Sequence, residues 1–527
     1  MHKHIRHAVV MAVAGALSGG LLASSAAAAQ PAGTTTGTKR TAEMTAQRVE
    51  PTMSAKSRGP AATRYPDDFN GDGYHDLAVS EADANLVVPG TAEKENAGWR
   101  AGYVTVSYGS KYGAQRTGLK IITQDSPGVP GKAALTNGFG DVLANGDFNG
   151  DGYADLAVSA SWQSTTTDDN SGTVTLLWGS PTGLKGGAAV ADHAPRKYGN
   201  FGSVLVAGDF DGDRKTDLVI GHRDRLDLFR GPFSATGKPA AVQPVDPGFK
   251  VDYGHWDSKR LAAGRINKDA ADDLVAFNGS GNAYASTQGR VLLGGSAGLK
   301  ATPTVLRSGN RPVIADFDKD GYGDIAVGDS GADWETERTA GRVHITFGGA
   351  KGVDTSRRVK VFTEDSPGVP GTPKQMDQFG SALGVGDLNR DGYPDLIVGA
   401  HGENHPACDD GGCTGRPGGG IYVLKGSAKG VVSTGAAFYG YRTKGLPVVP
   451  AKSKFRFGHE LKITDLNGDK QPEIALLVHG VGRSNLWSVG TKKDGTVAGT
   501  APTRAVQAPV DPKLQYDWGY GFTALAG

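Results

Sequence analysis

Apolar and polar positions alternate in short stretches along this chain, and the stretches recur. The unit is plain in residues 139–180. Phe139-Gly140 opens a strand through Val142-Leu143, Gly146-Asp147 leads into a polar loop, and Leu156-Ala157-Val158 forms a second strand. After a variable loop, Gly172 begins a third strand that runs through Trp178 and ends in the Gly179 turn. A less regular fourth strand completes the unit. Alternation over roughly four to eight residues between Gly-rich turns marks half-buried strands. No long amphipathic helical pattern interrupts them.

The same parts return along the chain. Phe201-Gly202, Phe379-Gly380 and Phe457-Gly458 open further units. The third strand recurs over 103–109, 226–231, 290–295, 342–348 and 421–426, with a weaker copy at 485–490. A longer duplication matches Gln124-Asp-Ser-Pro-Gly-Val-Pro-Gly131 to Glu364-Asp-Ser-Pro-Gly-Val-Pro-Gly371. Four antiparallel strands in roughly 50 to 70 residues is the size of a propeller blade. Units of this kind bury their apolar faces only against their neighbours, so the repeat overrides any division into several ordinary domains.

Unit 1 lacks its Phe-Gly strand, and the missing piece stands at the far end as Tyr520-Gly521-Phe522-Thr-Ala-Leu-Ala-Gly527. The expected fold is therefore all-β, a seven-bladed β-propeller of four-stranded antiparallel blades over 64–527. Residues 518–527 complete blade 1, close the ring and leave no open sheet edge.

The loop between strands 1 and 2 carries the chemistry. Its seven copies begin at Asp68, Asp147, Asp209, Arg265, Asp316, Asp387 and Asp465. Oxygen side chains recur at loop positions 1, 3, 5 and 9: Asp68, Asn70, Asp72 and Asp76; Asp147, Asn149, Asp151 and Asp155; Asp209, Asp211, Asp213 and Asp217. The series continues with Asp316, Asp318, Asp320 and Asp324; Asp387, Asn389, Asp391 and Asp395; and Asp465, Asn467, Asp469 and Glu473. Calcium takes about six to eight oxygen ligands, and the backbone carbonyl at position 7 (Tyr74, Tyr153, Lys215, Tyr322 or Tyr393) supplies another.

Asn-Gly and Asp-Gly pairs also form hairpin turns without metal. A turn needs one such residue, whereas several carboxylates within nine positions repel one another unless neutralised. An EF-hand is excluded, because its position 12 should be Glu and is here Val79 or Val158, with a strand following instead of a helix. The fourth copy puts Arg265 at position 1 with Asn267, Asp269 and Asp273, so a guanidinium is expected in place of the ion. About five to six calcium ions are expected, with a structural role.

The Phe-Gly strand, the Asp-x-Asn/Asp-x-Asp-Gly loop and the Asp-Leu-x-Val-Gly strand resemble FG-GAP repeats. That resemblance extends over 65–527 and implies a likeness to the propeller at the head of integrin α subunits and to bacterial VCBS-type proteins. The Gly-Ala-Pro that ends the family's repeat is matched most nearly by Gly399-Ala400-His401, which departs at the Pro.

At the N-terminus, Lys3 and Arg6 precede an apolar stretch over 8–22 and small residues over 23–29, the pattern of a secretory signal peptide ending near Ala29. Residues 30–63 read as an unstructured leader. No later apolar run reaches the ~18 residues of a membrane span. Acidic residues number 55 against 56 basic ones, two of which lie in the signal peptide. That balance suggests neither a nucleic-acid nor an anionic-membrane partner. The mature chain is expected to be secreted and monomeric. Cys408 and Cys413 share one Gly-rich loop and suit a local disulfide in an exported protein, since a metal site needs more soft ligands.

Loops joining strands 2 and 3 must lie opposite the acidic loops. Long ones fall at 81–102, 161–172, 329–341 and 401–420. Trp99, Trp162 and Trp334 lie in them and either stack on a ligand or pack beneath their own loops. Trp178 and Trp487 fit core positions. His401, Glu403, His405 and Asp409 form a cluster suited to metal binding, to acid–base work or simply to solvent. Two functional classes follow: a calcium-dependent extracellular binding or adhesion module for a glycan or protein, or a polysaccharide lyase or glycoside hydrolase. No nucleophile elbow, zinc-protease helix or placeable pair of catalytic carboxylates supports the second.

Overall fold

The computed structural model describes residues 65–84, 100–115, 119–165, 169–253, 260–278, 288–331, 340–374, 377–403, 418–440, 443, 446, 456–480, 483–497, 503–505 and 525–526. The expected signal peptide and leader (1–63), Trp99, Trp334, His405, Cys408, Asp409, Cys413 and Tyr520–Phe522 lie outside these residues. Every regular element among the described residues is a strand. No described helix is long and apolar enough to cross a membrane.

The strands form four-stranded antiparallel sheets of propeller-blade form. One sheet comprises Leu143–Gly146, Asp155–Ala160, Thr173–Trp178 and Lys185–Val190, in that order. Three more sheets repeat this meander, and a fourth has the same form with Leu525–Ala526, from far along the chain, beside its Leu77–Glu81 strand. In a larger sheet, two such sets (beginning at Phe379 and Arg456) are joined where Gly418 and Gly419 pair in parallel with Arg456 and Phe457. The second strand of every set is buried on both faces, which accounts for near-continuous apolar runs such as Asp217–Gly221 and Asp273–Phe277.

First strands adjoin one another in chain order: Leu143–Gly146, Leu205–Gly208, Leu261–Gly264, Asn310–Ala315, Phe379–Gly386 and Arg456–Thr464. Leu525–Ala526 pairs antiparallel with Leu77–Glu81 through Val79 and Ala78, and it lies against both Arg456–Thr464 and Leu143–Gly146. A buried cluster joins Leu77 and Val79 to Leu466, Ala475, Leu477 and Leu486, so the first and last sets share a core.

The Phe-Gly pair does more than open a strand. Phe139 precedes the strand that starts at Leu143, and its N–H donates to Ala101 O (3.0 Å) on the preceding sheet. Phe201 N–H donates likewise to Ser171 O (2.8 Å) and Phe379 N–H to Ala340 O (2.7 Å). Each pair abuts a glycine of the preceding sheet. A Cβ on Gly172 (φ +83°) would come within 2.4 Å of the Phe201 backbone, and one on Gly341 (φ +87°) within 2.2 Å of Phe379 O. The four rings of Phe139, Phe201, Phe379 and Phe457 are buried. Burial at roughly 2–3 kcal/mol per ring makes each pair a staple between neighbouring sheets.

Candidate functional site

The acidic loops sit where each first strand turns into its second. Their apolar position 2 (Phe69, Phe148, Phe210, Ile266, Phe317, Leu388 or Leu466) is fully buried in all seven copies. This plug anchors the loop, and its carbonyl reaches the next sheet. Phe69 O accepts from Ser180 N (3.1 Å), Phe148 O from Phe233 N (2.7 Å) and Phe210 O from Gly295 N (2.8 Å). The seventh loop makes the same bond to the first set, from Ser110 N to Leu466 O (3.3 Å).

Position 1 shapes the turn. Asp68 Oδ2 accepts Gly73 N (2.9 Å) while Oδ1 accepts Asp72 N (3.1 Å), and Asp147, Asp387 and Asp465 repeat both bonds. At position 3, Asn70 Oδ1 also accepts Asp72 N (3.0 Å). The position 7 N–H groups of Tyr74, Tyr153, Lys215, Tyr322 and Tyr393 each donate to the position 5 carboxylate.

Position 9 has a role the spacing alone concealed. Asp155 is fully buried, and both its oxygens are held by backbone: Phe148 N to Oδ2 (3.0 Å) and Gly179 N to Oδ1 (2.8 Å). Asp76, Asp217, Asp273, Asp324 and Asp395 make the same pair of bonds to their own position 2 and third-strand glycine. Each such carboxylate clips three parts of one sheet together, whether or not its loop has an acid at position 1. In the seventh copy, Glu473 Oε2 accepts Leu466 N (2.8 Å) while Oε1 accepts from Asn467 Nδ2 (2.7 Å).

Substituting Asp273→Ala should therefore destabilise the fold by about 3 kcal/mol, because it strands the N–H groups of Ile266 and Gly294 in the interior. Asp269→Ala, at an exposed position of the same loop, should change stability by less than about 0.5 kcal/mol. Urea unfolding of the two variants, with and without calcium, checks this. Equal midpoints would refute the clip.

The loops fit a hard cation to different degrees. Asp209, Asp211 and Asp217 bring ligand oxygens within 4.8 Å of one another, as do Asp316, Asp318 and Asp320. Asp209 Oδ1 and Asp316 Oδ1 are buried without a hydrogen-bond partner among the described residues. Oxygen-only donors with buried, unanswered lone pairs suit calcium. Burial chiefly, and the neighbouring carboxylates, push up Asp76 and Asp155 to about 8 and Asp217 and Asp324 to about 7.

Basic side chains answer part of this charge. Arg357 spans Asp318 (2.6 Å) and Asp320 (3.1 Å), with its guanidinium stacked on Phe347. Arg230 reaches Asp211 (3.2 Å), and Lys215 pairs with Asp213 (3.0 Å). These partners lie outside the loop motif, except Lys215, and were not legible in it. In the fourth loop, Arg265 does not take the ion's place. Its side chain is largely exposed, and its Nε lies 3.8 Å from Asp272 Oδ1, at loop position 8. A side chain as long as Arg at a solvent-facing position extends outward instead of folding into a tight turn.

On the opposite edge, Trp162 is half-buried with the Arg100 guanidinium 5.5 Å from its ring centroid. Trp487 belongs to one buried cluster, and the half-buried Trp178 packs against another. Glu403 is buried and does not join a solvated loop cluster. It lies with Glu364 and Asp377, while His401 stacks near His459 (5.0 Å).

Comparison with protein-family models finds the same repeat. The FG-GAP repeat matches residues 139–177, 308–346 and 379–424. Bovine (Bos taurus) phosphatidylinositol-glycan-specific phospholipase D is 29% identical over 163 residues, 31% of this chain and 17% of that protein. Human (Homo sapiens) integrin alpha-IIb is 31% identical over 232 residues, 40% of this chain and 21% of that protein. Among solved structures, an Agrocybe aegerita lectin recognising non-reducing terminal N-acetylglucosamine aligns at TM-score 0.44 and 14% identity, covering 86% of this chain and 94% of that one. The chain carries FG-GAP repeats and is related to integrin α chains and to this phospholipase D. It spans about a fifth of the length of these curated relatives.

Proposed function

We propose that the chain is an exported calcium-binding β-propeller of seven blades that acts as a binding module, with a glycan or protein ligand on the face opposite the acidic loops. Residues 1–29 serve as its signal peptide and 30–63 as a leader. Leu525–Ala526 supplies the innermost strand of blade 1 and closes the ring. Calcium is held by Asp68, Asn70, Asp72 and Asp76 and their counterparts in the second, third, fifth, sixth and seventh loops. When bound, the ion neutralises the carboxylates of each loop and stiffens it.

The observation that carries this reading is the brace between loops and sheets. Position 2 of one loop accepts a hydrogen bond from the next sheet, and the seventh loop does so to the first set. A cation in such a loop strengthens a contact between sheets, so the acidic face is occupied by structural work. Recognition then falls to the longer loops at the other edge, where a rigid scaffold presents variable segments.

The test is size-exclusion chromatography of a polysaccharide panel incubated with mature protein in calcium. Intact polymer co-eluting with the protein supports a glycan-binding module. Fragmentation of a polymer would overturn the pure binding reading in favour of a lyase or hydrolase. If every polymer passes unbound and intact, the glycan half of the proposal fails and a protein ligand is left.

A further inference from the structure

The duplicated segment identified in the sequence carries a second, unrelated set of acids. Gln124, Asn137 and Gln163 in the first copy correspond, at one constant displacement along the chain, to Glu364, Asp377 and Glu403 in the second. Three amides in one place are three carboxylates in the other.

In the first copy the amides satisfy one another. Gln124 Nε2 donates to Gln163 Oε1 (2.8 Å), and Asn137 Nδ2 donates to Gln124 Oε1 (2.8 Å) and to Lys132 O (3.0 Å). Thr173 Oγ1 donates to Gln163 Oε1 (2.7 Å). An amide offers both donor and acceptor, so a buried trio can close its own network.

The acidic copy cannot do this, because ionised carboxylates only accept. Glu364, Asp377 and Glu403 are 2%, 2% and 4% exposed, and their ligand oxygens converge within 4.8 Å. The Tyr422 hydroxyl donates to Glu364 Oε1 (3.0 Å), and Lys374 N donates to Asp377 Oδ2 (2.5 Å). Glu364 Oε2 and Glu403 Oε2 are buried with no hydrogen-bond partner among the described residues. Burial, with Glu403 and Asp377 beside it, pushes the Glu364 carboxyl far above the usual carboxylate range. The same backbone thus holds a satisfied trio of amides at one position and, at the other, three crowded carboxyl groups with two oxygens left without a partner among the described residues.

We propose that Glu364, Asp377 and Glu403 bind a hard divalent cation of the calcium class, with Tyr422 orienting Glu364. Oxygen-only donors select calcium or magnesium over softer metals. The three acids lie after a fourth strand (Lys360–Phe362), before a first strand (Phe379–Gly386) and after a second strand (Asp395–Ala400). These strand ends fall at the edge opposite the acidic loops. The site is therefore separate from the loop sites and does not depend on them.

The experiment counts calcium bound to the full chain after equilibrium dialysis against calcium alone. The triple variant E364Q/D377N/E403Q installs the amide set that already folds in the first copy, and it should bind one ion fewer than the parent. The reciprocal variant Q124E/N137D/Q163E should bind one ion more. An unchanged count in whichever of these variants folds would overturn the proposal, and protons alone would then neutralise the trio. A loop variant, D147N/D151N, reports on the loop sites independently, so failure of either site is distinguishable from failure of the other.

Discussion

Removing calcium should lower the melting temperature of this chain by an amount on the order of 10 °C. A site filled at about 100 times its dissociation constant contributes about 2.7 kcal/mol to the folded state. Five to six such loops together reach roughly 13–16 kcal/mol, as large as the whole stability of an ordinary fold at about 5–15 kcal/mol. A chain of this size loses roughly 1 °C per kcal/mol, because its unfolding entropy is large. Calorimetry in calcium and in chelator reads the difference directly, and coincident melting curves would remove calcium from the account.

The pH dependence gives this prediction a second arm. In chelator, the folded state holds protons on Asp76 and Asp155, whose carboxyls are pushed up to about 8, and on Asp217 and Asp324, at about 7. The unfolded chain releases those protons near pH 4. Protons are then bound more tightly in the folded state, so stability is full below about pH 4 and falls as pH rises toward 8. Calcium replaces the protons, so the gap between the two melting curves should widen across the same window.

Deleting residues 518–527 should cost more than about 5 kcal/mol and leave a protein that associates with itself. Leu525–Ala526 is the partner of Leu77–Glu81 and touches the first strands on both sides. Without it, Ala78 and Val79 keep unanswered backbone groups on an open edge. Thermal unfolding together with size-exclusion chromatography measures the effect. A truncated protein that melts and elutes like the intact one would show that this strand does not seal the fold.

Much of the loop site was legible because it is local. Positions 1, 3, 5 and 7 lie within seven residues, and their bonds in the structure stay within the turn, as in Asp68 with Gly73 and Asp72 with Tyr74. Position 9 was legible as an acid but not in its role. Asp155 serves Gly179, which lies far along the chain just past the third strand, and periodicity does not say which glycine will meet it. Arg357 was hidden for the same reason: it reaches Asp318 and Asp320 from a distant hairpin. Arg265 shows the opposite error: its place in the motif suggested a guanidinium among Asn267, Asp269 and Asp273, whereas the exposed side chain pairs with Asp272 instead.

Strand alternation, the seven-fold recurrence and the acidic spacing are properties of neighbouring residues, so the linear chain determined the all-β class and the candidate loops. The pairing of Phe139 with Gly102 and the meeting of Glu364, Asp377 and Glu403 were decided by the packing of one sheet on the next. Such contacts join residues whose spacing depends on intervening loops of variable length. Only the folded backbone brings them to a common point, where burial leaves oxygens of Glu364 and Glu403 without a partner among the described residues.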